Sequence, residues 1–307
     1  LFLANSSKYP AKVVIGEKGA IFSATSAGTA YNNVGGVLTA EKEGGVRAIA
    51  LPEGGLAGYP AAPYVEISGE GYGANAIALI NGETFTVTNI LITAHGWGYK
   101  PETTTVKLMY GSYTYGRTTK YTFPAEYVTI GENPVGGITV ESGTFSLYGA
   151  NVWEKWTKVV GGTLKAMEDG TIPSGTALTL SDGGKLDLNG HAATFAGLAG
   201  NGGTVVNGAV VMEDGATISA KKFVDRETTA VTGTLDLSGV TSLTLTDTEV
   251  LDEAAKKAKG VMLFTATDLV LPQGGVEVDG VPPDFHVTWR PNGLRLGPDR
   301  GAVLIIR

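Results

Sequence analysis

Gly supplies 45 of the 307 residues, charged residues make up 17% and apolar ones 43%, a β-rich, turn-rich composition able to bury a core. A formal net charge of −7, with no run of basic residues, argues against DNA, RNA or an anionic lipid surface as a partner. The absence of Cys removes disulfides, thiolate catalysis, Cys-ligated zinc and iron–sulfur clusters. No apolar run reaches the roughly 18 residues of a membrane span.

A Cys-free chain of this length suits export through an oxidising compartment, where a stray disulfide traps a protein before it reaches the surface, so the expected location is extracellular or cell-surface. The chain starts without Met, as a processed chain or a fragment does, and Leu1-Phe2-Leu3-Ala4 is too short for a signal-peptide core. Apolar and polar residues alternate in short segments separated by Gly, Asn-Gly or Asp-Gly, which is the strand-and-turn signal. Helical spacing is confined to Asp252 through Gly260, with an Asp at the cap, an Ala-rich interior and Lys near the end, and a two-turn helix is predicted there.

In chain order, residues 1–51 contain Val13-Val14-Ile15-Gly16 and Gly35-Gly36-Val37-Leu38-Thr39, read as the first rungs of a solenoid. Residues 52–123 have a different, Gly/Tyr-rich texture and are expected to form a small inserted antiparallel module. There Gly58-Tyr59-Pro60 leading to Tyr64-Val65-Glu66-Ile67 is echoed by Gly98-Tyr99-Lys100-Pro101 leading to Val106-Lys107-Leu108. Residues 124–250 resume solenoid character, beginning with Val128-Thr129-Ile130-Gly131 and Gly137-Ile138-Thr139-Val140, and residues 251–307 hold the short helix and capping strands.

Internal repetition marks the second half. Met167-Glu168-Asp169-Gly170 returns as Met212-Glu213-Asp214-Gly215, and Gly184-Lys185-Leu186-Asp187-Leu188-Asn189-Gly190 as Gly233-Thr234-Leu235-Asp236-Leu237-Ser238-Gly239. Such spacing fits two coils of a parallel β-helix per repeat. The pieces Gly161-Gly162-Thr163-Leu164, Ala177-Leu178-Thr179-Leu180, Leu186-Asp187-Leu188-Asn189-Gly190 and Gly197-Leu198-Ala199-Gly200-Asn201-Gly202 resemble the autotransporter-associated β-strand repeat of bacterial surface passengers. That resemblance implies a right-handed parallel β-helix outside the cell. The ending, Val261-Met262-Leu263-Phe264 with Val287-Thr288-Trp289 and Leu294-Arg295-Leu296, is similar to the closing segment of such passengers, although no barrel follows it here. Gly69-Glu70-Gly71-Tyr72 and its surroundings resemble the GxGYxxxPxVxI modules of bacterial surface proteins and phage fibres.

The catalytic inventory is thin. His95, His191 and His286 are far apart and fit no metal or nucleophile motif, and G-x-S-x-G and Walker A loops are absent. Asp182, Asp187, Asn189 and His191 form the nearest approach to a polysaccharide-lyase cluster, but they fall in an ordinary turn. Gly183-Gly184-Lys185-Leu186-Asp187 departs from the calcium β-roll pattern at Leu186. No catalytic residue, metal or cofactor is therefore expected.

Two sets of binding residues are expected instead. Tyr59, Tyr64, Tyr72, Trp97 and Tyr99 form an aromatic cluster suited to a surface glycan or a cell-surface protein. Leu1, Phe2 and Leu3, together with Val303, Leu304, Ile305 and Ile306, are apolar, strand-like termini suited to self-association into an oligomer or filament, or to a hairpin closing across 297–301. Trp153 and Trp156 are read as a loop on the flank. The function expected is a non-enzymatic structural or adhesive protein of a bacterial surface or fibre, with a carbohydrate-binding or carbohydrate-active β-helix and a phage tail-fibre segment as alternatives.

Overall fold

The computed structural model describes residues 2–3, 12–15, 18–23, 29–32, 37–112, 116–181, 183–200, 202–221, 228–253, 255–257 and 259–299. These residues are nearly all β, and their helical content is limited to the 3-10 turns Ala125–Tyr127, Thr248–Val250 and Ala255–Lys257. Of the helix expected over 252–260, the described residues show only the 3-10 turn Ala255–Lys257. Asp252 does act as its cap, accepting the Ala255 amide at 2.9 Å, but so short a segment recovers too little to offset helix nucleation. The chain divides into two compact units, one of residues Leu1–Ala40 and Val135–Arg307, the other Glu41–Pro134.

In the first unit the strands pair mainly in parallel. Ala20–Phe22, Ile138–Val140, Trp156–Val159 and Ala177–Leu180 form one ladder, continued by 197–199, 217–219 and Ser242–Thr246. A second ladder runs Phe2–Leu3, Thr29–Asn32, Thr144–Leu147, Thr163–Ala166, Lys185–Asp187, then 204–206, 230–232 and 264–266. A third stacks 192–195, 209–212, 234–236 and 268–270. Between residues 138 and 218 the chain returns to the same ladder about every 20 residues, a spacing typical of repeat architectures.

Register puts like on like. Thr157, Leu178, Leu198, Ile218 and Leu245 are successive partners in one row, and Phe145, Leu164, Leu186, Val205, Val231 and Ala266 in another. All are buried, because period-two alternation turns every second residue inward and parallel pairing keeps that phase from strand to strand. Trp153 also lies inside rather than on a flank. Its Nε1 donates to Thr157 Oγ1 at 3.0 Å, which in turn lies 3.0 Å from Thr176 Oγ1, so a polar chain satisfies the indole within the apolar core.

At its C-terminal side this unit changes to antiparallel pairing. Gly293–Pro298 lies between Val261–Val270 and Phe285–Arg290, and Phe285, Leu294 and Leu296 are buried. The strand holding Leu294 to Leu296 thus finds its partners upstream. The hairpin expected across 297–301 involves residues 300–307, which lie outside the described residues.

The second unit is antiparallel, and wider than the expected 52–123. Val128–Gly131 pairs antiparallel with Gly45–Ile49, and both strands fall within Glu41–Pro134, so it belongs here and not to a parallel rung. The main sheet has six strands in the order Gly116–Thr122, Thr105–Ser112, Tyr64–Ser68, Tyr72–Asn81, Thr86–Trp97 and Leu56–Ala57. The echoed segments become neighbours: Val65 faces Leu108 and Ile67 faces Val106. The unit's ends meet at Asn133, whose amide donates to Lys42 O at 2.6 Å and whose Nδ2 donates to Glu41 O and Gly96 O.

Candidate functional site

The aromatic cluster of the second unit separates into core and surface. Tyr99 is 5% exposed and its ring is seated against glycine: a Cβ at Gly71 would fall 2.4 Å from the ring, and one at Gly96 would fall 2.8 Å from it. Gly71 and Gly96, on different segments, together seat this ring. Tyr59 is 3% exposed and tilted against Tyr110 with ring centroids 5.7 Å apart, and burial pushes its phenol above the ordinary range, helped by Tyr110 and Tyr121. Tyr59 and Tyr99 thus depart from their expected role as surface anchors, since a small two-sided sheet needs large side chains on its inner face. Trp97 is half-buried, pairs across the strands with the exposed Tyr72, and packs over Gly73.

Tyr64 and Tyr72 are exposed, and Tyr64 belongs to a surface feature that aromatic counting does not reveal. On the strand Tyr72–Asn81, Ala76 and Ala78 point into the core while Ile77 and Leu79 are 47% and 41% exposed, so over 76–79 the large side chains face outward and the small ones inward, with Ile80 returning to the core side. Ile77 pairs with Tyr64 on one side and with Leu91, also exposed, on the other. One apolar row thus crosses three strands. Asn75-Ala76-Ile77-Ala78-Leu79 carries the signal in its alternation of Ala with larger residues, but deciding which set faces out requires the sheet.

The row is bordered by charge. Arg117 lies over the Tyr64 ring at 4.5 Å and 3.8 Å from Glu66, occupying one ring face through a cation–π contact. A shallow groove of about 360 Å³ runs beside it between Ala62–Val65 and 75–78. Lys100 pairs with Glu70 at 2.5 Å on the exposed rim, and hydrogen bonding to Glu70 raises its pKa. His95 Nδ1 lies 2.7 Å from Val46 O and is tied to the backbone.

The other histidines each meet one carboxylate. His191 Nδ1 lies 2.8 Å from Asp169 and His286 Nδ1 2.6 Å from Asp299. Asp187 is occupied with turn formation, accepting from the Asn189 amide and Asn207 Nδ2, both at 3.0 Å. Among the described residues no group of three or more His, Asp or Glu is placed to hold a metal. Of the terminal residues, Phe2 and Leu3 pair in parallel with Tyr31 and Asn32 within the same chain, while Leu1, Val303, Leu304, Ile305 and Ile306 lie outside the described residues.

Comparison of the chain with protein-family models, with characterised proteins and with solved structures finds no match.

Proposed function

We propose that this chain is a non-enzymatic extracellular structural and adhesive protein, in which the parallel ladders are coils of a right-handed β-solenoid of the autotransporter-associated type and the second unit is a display module. The outward-facing row Tyr64, Ile77 and Leu91 carries the reading. Full burial of an Ile or Leu side chain is worth about 1.5 to 3 kcal/mol, and a row left half exposed gives up part of that, which a partner's surface recovers on binding. The partner class it fits is a cell-surface protein. A sugar ring stacks on open aromatic faces, whereas this row is mostly aliphatic and one Tyr64 face already carries Arg117.

The test replaces Ile77 and Leu91 together by Ser and measures attachment to intact cells beside thermal unfolding. Attachment is expected to fall while stability stays within about 1 kcal/mol, as for surface positions. Unchanged attachment refutes the adhesive role. The non-enzymatic part predicts no release of sugar ends from pectin, alginate, glucan or xylan between about pH 4 and 9. Self-association through the terminal segments belongs to the same reading, and light scattering before and after removal of residues 1–7 tests it: an unchanged mass excludes it. The solenoid itself predicts a coil rise of about 4.8 Å in a density map.

A further inference from the structure

A cavity of about 490 Å³ in the first unit is lined by Lys259, Gly260, His286, Arg295 and Pro298. Among the described residues, Lys259, Arg295 and His286 give this lining a basic character. The guanidinium of Arg295 lies close to two glycines: a Cβ at Gly260 would fall 2.3 Å from Nη2, and one at Gly297 would fall 2.9 Å from Nη1. Gly260 is also crowded by Leu296 O, 2.6 Å from where a Cβ would stand. The Arg295 side chain is half-buried and, among the described residues, makes no hydrogen bond or ion pair, although the strand carrying it is paired on both sides. The guanidinium's planar fork is shaped for a two-oxygen acceptor. The Asp299 carboxylate is engaged by His286, whose Nδ1 lies 2.6 Å from Oδ1.

We propose that this cavity binds an oxyanion, held by the Arg295 fork and by Lys259. The volume admits the oxyanion together with a body about the size of a sugar ring. A carboxylate on an acidic sugar and a phosphate ester share this chemistry. The site belongs to the first unit and stands independently of the adhesive reading of the second.

Calorimetric titration of the full chain with glucuronate, glucose 6-phosphate, inorganic phosphate and neutral glucose tests it. Binding of at least one of the three anions is expected with none for glucose, and the anion that binds best identifies the source of the oxyanion. Arg295→Gln is expected to weaken that binding by about tenfold or more, the scale of a charge-assisted hydrogen-bond pair, and Arg295→Lys to restore part of it. No anion binding by the wild type, equal binding of glucose, or an unchanged affinity in Arg295→Gln overturns the proposal. If Arg295→Gln lowers the melting temperature enough to unfold the unit, Lys259→Gln is titrated instead, and an affinity equal to wild type overturns the proposal.

Discussion

Asp214 shows how one side chain can join neighbouring strands. Its Oδ1 accepts the Thr241 and Ser242 amides at 2.7 and 3.1 Å and the Thr241 hydroxyl at 2.8 Å, and these bonds hold its carboxyl below the usual carboxylate range. The group before it reaches the other way, since Glu213 accepts from the Gly175 amide at 2.8 Å. The earlier copy repeats the arrangement, with Glu168 on the Gly149 amide at 3.1 Å and Asp169 on His191. Gly170 and Gly215 close both motifs at φ of +70° and +73°, a backbone that favours Gly. Met-Glu-Asp-Gly is thus a clasp that reaches back with Glu and forward with Asp.

Because the folded-state pKa of Asp214 is depressed, its contribution is present above the unfolded carboxylate pKa of about 4 and is lost as pH falls through the lower folded value. Asp214→Asn is therefore expected to melt below wild type at pH 7, with the gap narrowing as the pH falls below about 4; scanning calorimetry at both pH values checks this. A gap independent of pH would show that the ionised form is not what the amides hold.

Glycine offers a second prediction at this scale. A Cβ at Gly71 would fall 2.4 Å from the Tyr99 ring and 2.6 Å from its backbone nitrogen, whereas one at Gly82 meets nothing within 4 Å. Gly71→Ala is expected to cost about 1 to 3 kcal/mol in urea unfolding, as for overpacking. Gly82→Ala should fall within about 1 kcal/mol of wild type, on the stabilising side.

At the scale of the elements, the parallel rows and the corners between them are separate sources of stability. Leu186 is fully buried between Leu164 and Val205, so Leu186→Ala is expected to cost about 2 to 5 kcal/mol through lost burial and the cavity left behind. Asn151 works at a corner. It accepts the Leu38 amide at 2.9 Å and donates to Tyr148 O, Gly149 O and Thr171 O, serving backbone groups that no strand pairing reaches. Asn151→Ala leaves them unpaired in a buried place and should cost about 1 to 3 kcal/mol, read by chemical denaturation.

The repeated Leu-Asp-Leu segments show how local and tertiary order diverge. Asp187 accepts the amide of Asn189 and Asp236 that of Ser238, both two residues on, so each copy builds the same turn. Yet Leu186 stands in the second ladder and Leu235 in the third. A turn needs only its own residues and so can recur at any corner. The repeat spacing in the sequence therefore counts corners of the same chemistry, while the strand pairing advances by about 20 residues.

At the scale of the whole molecule, the second unit leaves and re-enters the chain at neighbouring points, with Asn133 bonded to Glu41 and Lys42. Insertions whose ends lie close together impose little on either part. Residues 41–134 expressed alone are expected to fold, giving a β-type circular dichroism spectrum and cooperative melting. A chain that stays unstructured would show that this unit depends on the rest of the protein. Full-length protein should give a β-dominated spectrum with less than about 10% helix, since helical structure among the described residues is confined to short 3-10 turns.

Period-two alternation with Gly at the corners was enough to establish from the sequence an all-β chain with a distinct Gly/Tyr-rich insertion, because a strand's inward phase and a turn's positive φ are local properties. The same locality misplaced the Asp252–Gly260 segment as a helix, put Trp153 on the flank, and drew the insertion too narrowly by leaving Val128–Gly131 outside it. Trp153 is held inside by Thr157, which itself lies within hydrogen-bond distance of Thr176, and the misplaced strand is claimed by Gly45–Ile49, whereas the helix is limited by its own shortness. Tertiary structure alone decided that Tyr59 and Tyr99 are core while Tyr64, Ile77 and Leu91 face solvent, and that Arg295 rests on Gly260 and Gly297 beside Lys259. Exposure and convergence of this kind are set by which strand becomes whose neighbour, and the pairing of strands far apart in the chain carries no signature in the residues of either strand alone.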